Sequence, residues 1–504
     1  MNLRPFSRVL VANRGEIAVR VIRGCQERGL QAVAVVSAAD VASLAARLAD
    51  DVVELGAAPS AESYLDPQKV LEAAIGSGCD AVHPGYGFLS ENTAFAQQVI
   101  DAGLVWIGPP PAAIEAMGSK TAARKTMSDA GVPVVPGTLE ALSDPEQALK
   151  VAEQTGYPIM LKAAAGGGGK GMRRVDSSDQ LHHALAAAQS EGLKSFGDGS
   201  VYIEKLIERG RHVEIQVLAD AHGGVVHVLE RDCSIQRRHQ KVFEEAPSPA
   251  LDPATRAAMG EVACRAAKAV GYVGAGTCEF LLSSGGDFYF LEMNTRLQVE
   301  HPITEAITGI DLVGAQLALA AGEPLPWTQD QIQLRGHAVE CRIYAEDPHQ
   351  NFMPAPGPLH RYREPGGPWT RVDSGVGQGF EVPVHYDPMV AKLVVWGQDR
   401  DEAIARAERA LREYRIVGIP TSIPFFLALF RDPGFRSGTY DTGFISAQWL
   451  AEQLGEPSAD LIDAAVVCAA IAAYEAKTAS GPRAPQGRAD RWKQSARWAM
   501  AGRV

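Results

Sequence analysis

The stretch Thr277-Cys278-Glu279-Phe280-Leu281-Leu282-Ser283-Ser284-Gly285-Gly286-Asp287-Phe288-Tyr289-Phe290-Leu291-Glu292-Met293-Asn294 reads as two apolar strands joined at a glycine pair. If Gly285-Gly286 is a two-residue turn, Ser284 faces Asp287, and counting outward puts Glu279 directly opposite Glu292. Opposed side chains lie about 5 Å apart at Cβ, where two like charges repel by about 3 kcal/mol at an effective dielectric near 20. A divalent cation between the carboxylates turns that repulsion into attraction. Oxygen-only donors favour magnesium or manganese over zinc, and Asn294 adds an amide oxygen on the same face. The competing reading is an exposed pair with water between.

Past the hairpin, Glu292, Asn294, Arg296, Gln298 and Glu300 alternate with Leu291, Met293, Leu297 and Val299, the pattern of extended backbone with one polar and one core face. Eight residues of strand span roughly 26 Å. A metal site at Glu292 and Asn294 is therefore expected apart from a second site at Arg296, Gln298 and Glu300. There, arginine and amide donors suit a small oxyanion and the carboxylate suits removal of its proton. A solvated edge strand would alternate in the same way. Upstream, Ala165-Gly166-Gly167-Gly168-Gly169-Lys170-Gly171-Met172 follows a strand ending in Lys162. Such a run reads either as a flap whose bare amides wrap phosphate oxygens or as a flexible loop without a ligand. It is not a P-loop, because Gly171 stands where a hydroxyl is required. Gln236-Arg237-Arg238-His239-Gln240-Lys241, with His212 opening a strand upstream, is either a solvated charge run or one wall of an anion site.

Working outward, Arg8 to Ala12, Ala32 to Val36, Cys79 to Val82 and Leu104 to Ile107 read as buried parallel strands with helices between them. Ile17, Val21 and Cys25 repeat every fourth residue and Gly29 closes the run, which predicts a helix packed on the sheet. The turn Ala12-Asn13-Arg14-Gly15-Glu16 lacks Gly-x-Gly-x-x-Gly, so a nicotinamide-dependent dehydrogenase is disfavoured. Hairpins at His222-Gly223-Gly224 and at Ser284 to Asp287 predict antiparallel strands in the middle of the chain. The fold class is thus α/β followed by α+β, with an alanine-rich helix from Leu461 to Ala476 and a basic tail from Arg488. The 504 residues carry 48 basic and 60 acidic side chains, a net charge of −12 that disfavours general nucleic-acid or membrane-surface binding. Seven scattered cysteines without a Cys-x-x-Cys pair do not form a disulfide framework, and a cytoplasmic protein is expected. No apolar run reaches the roughly 18 residues that a membrane span requires.

His83-Pro84-Gly85-Tyr86-Gly87-Phe88-Leu89-Ser90-Glu91-Asn92, the glycine flap, Glu230-Arg231-Asp232-Cys233-Ser234, Arg237 to Lys241 and Glu292 to Pro302 together resemble the biotin carboxylase family. The resemblance covers about residues 5–445. It implies a Rossmann-like N-terminal domain (1–117), an ATP-grasp domain (118–330) with a mobile glycine-rich lid at about 133–207, and a biotin carboxylase C-terminal domain (333–445). Residues 446–504 would form a helical and basic tail, the start of a region truncated here. The implied reaction is ATP-dependent carboxylation of biotin by bicarbonate, the first half-reaction of an acyl-CoA carboxylase or of a pyruvate or 2-oxo acid carboxylase.

By this similarity Lys120, Lys162, Gly168, Gly169 and His212 would hold ATP phosphates. Glu204, Lys205, Leu206 and Ile207 would form the hinge at adenine, and Gln236 and His239 would support the nucleotide. Glu279, Glu292 and Asn294 match metal ligands for one or two Mg2+ or Mn2+ ions. Lys241, Arg296, Gln298 and the Val299 amide match a bicarbonate site, and Glu300 matches the base. Arg342, in Val339-Glu340-Cys341-Arg342, matches the residue that stabilises the biotin enolate, with Tyr86 beside the ureido ring. No Met-Lys-Met segment occurs, so biotin is expected on a partner carrier protein or domain, or on a longer form of this chain. Other implied partners are a second copy in a homodimer, or a larger carboxylase complex, and a carboxyltransferase subunit. The stretch Val376 to Lys392 leans toward acyl-CoA carboxylase alpha subunits. Rival readings are carboxylate-amine ligation and a catalytically silent scaffold subunit.

Overall fold

The computed structural model describes residues 5–138, 142, 144–163, 172–196, 199–455 and 459–479. Its first strand, β1 (Arg8–Val11), is apolar on both faces and sits at the centre of a parallel sheet. β2 (Gln31–Ser37) and β4 (Ala81–His83) flank it; β3 (Asp51–Gly56) and β5 (Val105–Trp106) close the order β3-β2-β1-β4-β5. The helix Gly15–Glu27 buries Ile17, Val21 and Cys25 against this sheet, and Gly29, at φ +73°, takes the left-handed conformation that stops it. β3 leaves no apolar run to read because it is an edge strand that buries only Leu55.

Residues 133–207 hold a smaller antiparallel sheet. In it β6 (Ile159–Ala163) lies between β7 (Met172–Val175) and β8 (Val201–Lys205). The helices Pro145–Thr155 and Ser178–Phe196 cover it around Leu142, Ile159, Leu161, Leu181, Leu185 and Ile203. The glycine flap, Gly168 and Gly169 included, lies outside the described residues.

The largest element is one eight-stranded antiparallel sheet. It comprises β9 (Arg211–Ala219), β10 (Val225–Arg237), β11 (Gln240–Ala246), β12 (Gly274–Leu282), β13 (Phe288–Asn294), β14 (His337–Tyr344), β15 (Thr370–Ser374) and β16 (Met389–Gly397). The order is β13-β12-β9-β10-β11-β14-β16-β15. Because β11 pairs with β14, Phe243 opposite Cys341 and Glu244 opposite Glu340, the sheet runs unbroken across the boundary expected near residue 330. Trp449, on the helix Ala447–Gln453, packs on Phe425 and Phe444, and the compact unit that holds this sheet runs to Leu454.

The hairpin departs from expectation twice, and the departures cancel. The Ser283 N–H donates to the Asp287 carbonyl at 2.7 Å and Gly286 sits at φ +91°, so the loop has three residues, Ser284, Gly285 and Gly286, not two. A register shift between Glu279 and Phe280 then makes Leu291 an extra, bulged residue, which returns Glu279 to a place opposite Glu292. A second correction concerns Glu292 to Glu300, which is not one extended strand. β13 ends at Asn294, and the chain bends so that Glu300, at φ −81° and ψ 7°, immediately precedes the helix His301–Thr308. The cause is local. The Thr295 N–H leaves the ladder to donate to Glu91 Oε1 at 3.1 Å, and Pro302 sets the first helical turn.

Gly455–Val504 forms a second unit. Its helix Ala459–Ala479 exposes Ile462, Val466, Val467, Ile471 and Tyr474; the basic tail from Arg488 lies outside the described residues. Among the described residues no single helix is long and apolar enough to cross a membrane.

Candidate active site

Strand β9 carries His212, Glu214 and Gln216 at every second position between Val213, Ile215 and Val217, so polar side chains line one face at the middle of the sheet. Lys241, at the start of β11, reaches over that face. Its ammonium lies 2.5 Å from Glu214 Oε2 and 2.8 Å from both Glu279 Oε1 and Glu300 Oε1. Burial opposes the charge on Lys241, but Glu214, Glu279 and Glu300 together hold its pKa well above the ordinary value. Burial likewise works against ionised Glu279 and Glu300. Lys241 with His212 in the first case, and Lys241 with Arg342 in the second, hold both carboxyls below the usual range.

Glu279 is the hub of the expected metal site. Its Oε1 also accepts from Asn294 Nδ2 at 2.9 Å and from Gln298 Nε2 at 2.7 Å, while His212 Nε2 lies 2.7 Å from Oε2. Glu292 faces it across the hairpin, 4.0 Å from the Lys120 ammonium. Burial and the Glu279 charge push the Glu292 carboxyl up. A cation bound by Glu279 and Glu292 would remove that repulsion, so the donor set fits a hard divalent ion. The Asn294 oxygen is engaged by Arg296 Nη2 at 2.7 Å. Because the chain bends after Asn294, the metal residues and the expected oxyanion residues are not two separate sites along a strand. They converge on Glu279 and Lys241.

A residue without an assigned role in the sequence holds this convergence in place. Arg231, fully buried on β10, donates to Glu214, to Gln216 Oε1 at 2.7 Å, to Gln298 Oε1 at 2.7 Å, to Thr304 Oγ1 at 2.9 Å and to Thr277 Oγ1 at 3.2 Å. The available signals were an arginine between two acidic residues, Glu230-Arg231-Asp232, and the period-two polar pattern of β9. Glu91 is a second such residue: it accepts from Arg296 Nε at 2.9 Å as well as from Thr295.

Toward the smaller sheet, Glu204 binds both Lys162 and Arg124. The Lys205 ammonium turns away to the carbonyls of Gly156 and Tyr157, at 2.8 and 3.0 Å, and the Leu206 N–H donates to Pro158. The β10–β11 turn has Arg238 at φ +51° and His239 at φ +65°, two non-glycine residues in the left-handed region. Gln236 Nε2 lies 3.1 Å from His212 Nδ1. The reading of this segment as a solvated charge run holds only for Arg238 and His239, since Gln236 and Arg237 are buried.

A cavity of about 430 Å³ is lined by Lys120, Lys162, Glu204, His212, Gln236, His239, Lys241, Glu279, Glu292, Asn294, Arg296, Gln298, Val299, Glu300 and Arg342. Lys205, Leu206 and Ile207 do not line it. A second cavity, of about 520 Å³, is lined by Tyr86, Asn13, Glu16 and residues of the segment 385–389, and shares Gln240, Arg296, Val299 and Arg342 with the first. Arg342 sits in that common wall, 2.5 Å from Glu244 and 3.0 Å from Glu300. The arrangement offers a chamber lined by charges of both signs and a mixed chamber, which meet at two arginines.

Three family profiles match successive segments. They are described as the biotin carboxylase N-terminal domain (residues 5–114), the carbamoyl-phosphate synthase L chain ATP-binding domain (119–328) and the biotin carboxylase C-terminal domain (340–447). The chain is 53% identical over 440 residues to a pyruvate carboxylase subunit of Methanothermobacter thermautotrophicus, covering 87% of this chain and 89% of that one. It is 52% identical over 440 residues to the biotin carboxylase of Nostoc sp., covering 87% and 98%. Among solved structures it resembles the biotin carboxylase domain dimer of Hydrogenobacter thermophilus 2-oxoglutarate carboxylase, in complex with MgADP, ADP and bicarbonate. The TM-score is 0.83 at 45% identity, covering 87% of this chain and 97% of that one.

Proposed function

The chain belongs to the biotin carboxylase family and is an ATP-dependent carboxylase, and on that premise we propose that it carboxylates biotin on a separate carrier protein as the first half-reaction of an acyl-CoA carboxylase. The observation that carries this reading is the wall common to the two cavities, where Arg296 and Arg342 stand between a nucleotide-sized polar chamber, lined also by Glu300, and the chamber containing Tyr86.

In this reading ATP occupies the first cavity. Lys120, Lys162, His212 and the glycines Gly168 and Gly169 hold its phosphates, with Glu204, Gln236 and His239 around the nucleoside. Glu279 and Glu292, joined by Asn294, would hold magnesium or manganese, which would offset phosphate charge. Bicarbonate sits on Lys241, Arg296, Gln298 and the Val299 amide, with Glu300 positioned to take its proton. A bicarbonate oxygen attacks the γ-phosphorus, ADP leaves, and carboxyphosphate forms. It breaks down to carbon dioxide and phosphate; the phosphate takes the ureido proton, and Arg342 stabilises the enolate that attacks carbon dioxide. Carboxyphosphate hydrolyses in water, so the chemistry requires water to be kept from it.

The test is ATP hydrolysis by the purified chain with magnesium. Turnover that requires bicarbonate and rises with free biotin supports the proposal; stimulation by ammonia or an amine, without biotin dependence, refutes it. A second reading, in which the carboxyl group finally reaches a 2-oxo acid, is favoured by the similarity to the Methanothermobacter pyruvate carboxylase chain. Identifying the biotinylated protein and the carboxyltransferase that co-purify from the native host separates the two. A homodimer is part of the proposal, in keeping with the dimer of the Hydrogenobacter domain.

A further inference from the structure

The turn after β1, where a dinucleotide-binding sheet would place its glycine loop, is occupied here with something else. Asn13 is buried and its amide Nδ2 donates to the carbonyls of both Pro84 and Tyr86, at 2.7 and 2.8 Å. Gly85, at φ +63°, passes so close that a Cβ there would stand 2.9 Å from that amide nitrogen. Two residues after Arg14 comes Glu16, 3% exposed, which accepts a hydrogen bond from the Tyr86 hydroxyl. Glu16 Oε1 lies 3.4 Å from the ammonium of Lys392, which is fully buried on β16. That ammonium donates to the Val299 carbonyl at 2.7 Å and lies 5.9 Å from the centre of the Tyr86 ring. Close approach is possible because Gly375, just after β15, has no side chain: a Cβ there would meet the Glu16 backbone nitrogen at 2.5 Å.

We propose that Glu16 and Lys392 are positioning residues for the second substrate cavity, a buried charge pair that fixes Tyr86 on one wall and the Val299–Glu300 peptide on the other. This rests on the proposed function, since it assigns that cavity to biotin. Glu16 lines the cavity and Lys392 does not, so the lysine acts through what it holds. Burial outweighs the pull of Lys392 and leaves the Glu16 carboxyl raised to about 7. The other charged or titratable groups acting on the pair are Asp373, directly opposite Lys392 on β15, together with Arg342, His301 and Glu340. Asp373 is already claimed by Arg371 at 2.7 Å, which leaves Lys392 to offset Glu16.

The test compares Lys392→Met, Glu16→Gln and the double variant. Lys392→Met is expected to lower kcat/KM for free biotin about tenfold or more while KM for ATP moves less than about twofold. In the double variant neither buried charge is left unpaired, so the melting temperature should return toward the wild-type value, yet kcat/KM for biotin should stay low because Val299 has lost its donor. A merely structural ion pair requires both to recover together, and that result overturns the proposal, as does an unchanged response to biotin or an equal rise in KM for ATP. If Lys392→Met does not fold, Tyr86→Phe decides: KM for biotin rises about threefold or more, or the proposal fails. Should the wild type hydrolyse ATP without any response to biotin, the functional reading fails on its own. The Val299 carbonyl in crystals of Lys392→Met then decides this inference, by having turned from its place or not.

Discussion

Lys241 neutralises three carboxylates with one ammonium, and the electrostatic balance of the site depends on it. In Lys241→Met, Glu214, Glu279 and Glu300 keep Arg231, His212 and Arg342 respectively but lose the one ammonium that lies between all three. Breaking a buried pair on one side typically costs about 3–5 kcal/mol. Bicarbonate-dependent ATP turnover is expected to fall at least about 100-fold, with a lower melting temperature. Arg231→Lys is the subtler change. It keeps the charge but replaces a five-donor fork with three rotatable donors, so Gln298 and Thr277 lose partners while Glu214 keeps one. The expected outcome is KM for bicarbonate raised about tenfold with a smaller change for ATP, measured by steady-state kinetics. The pairing of Glu279 with Glu292 and the polar face that ends in Glu300 were legible in spacing and charge, whereas Lys241 was singled out only by the family resemblance. The roles of Arg231 and Lys392 were not legible, because a cation on a strand does not announce the partners that other strands bring to it.

At the scale of elements, the β10–β11 turn is held in a conformation its residues disfavour. Left-handed backbone costs a residue with a side chain roughly 1–2 kcal/mol, and Arg238 and His239 both adopt it. The double variant Arg238→Asn with His239→Gly supplies residues that accept this backbone, and is expected to raise stability by about 1 kcal/mol in a denaturant titration. It should also raise KM for ATP, since His239 lines the first cavity. The strain is thus tied to function: it turns a hairpin end into a wall of the site. The same scale shows where pattern reading reaches its limit. Alternation from Glu292 to Glu300 is real, yet the backbone leaves the extended form at Thr295 because Glu91, 204 residues away in the chain, takes its N–H. The register of Glu279 with Glu292 was reached through a turn with the wrong number of residues, and holds because Leu291 bulges.

Across the whole molecule, Glu245 ties β11 to distant elements: it accepts from His337 Nε2 at 2.7 Å, from Arg400 Nε at 2.7 Å and from Tyr440 OH at 2.6 Å. Burial would raise its carboxyl, but the hydrogen bonds from His337 and Arg400 hold it down, from an ordinary 4.5 to about 2. A depressed acid stabilises the folded chain fully above its unfolded pKa and loses that contribution as pH falls through the folded one. The window therefore lies between pH 4.5 and about 2, and the contribution is on the order of 3 kcal/mol. The melting temperature of the wild type should fall steeply there; Glu245→Gln should start lower at pH 7 and fall less. A chain ending at Leu454 tests the division into two units. All described site residues precede that point, and 440 aligned residues span 98% of the Nostoc biotin carboxylase, so this chain should keep bicarbonate-dependent ATP turnover within about twofold.

By itself the sequence determined the order of elements and the chemical types at the site. Hydrophobic period, glycine placement and the spacing of charged residues act over a few residues and are written along the chain. Only the tertiary structure decided which charges cancel. Lys241 against Glu214, Glu279 and Glu300, Arg231 beneath Gln298, and Lys392 between Glu16 and Val299 are contacts between strands far apart in sequence. Electrostatic energy depends on distance in space and on the water that folding removes, and neither quantity is a property of sequence spacing.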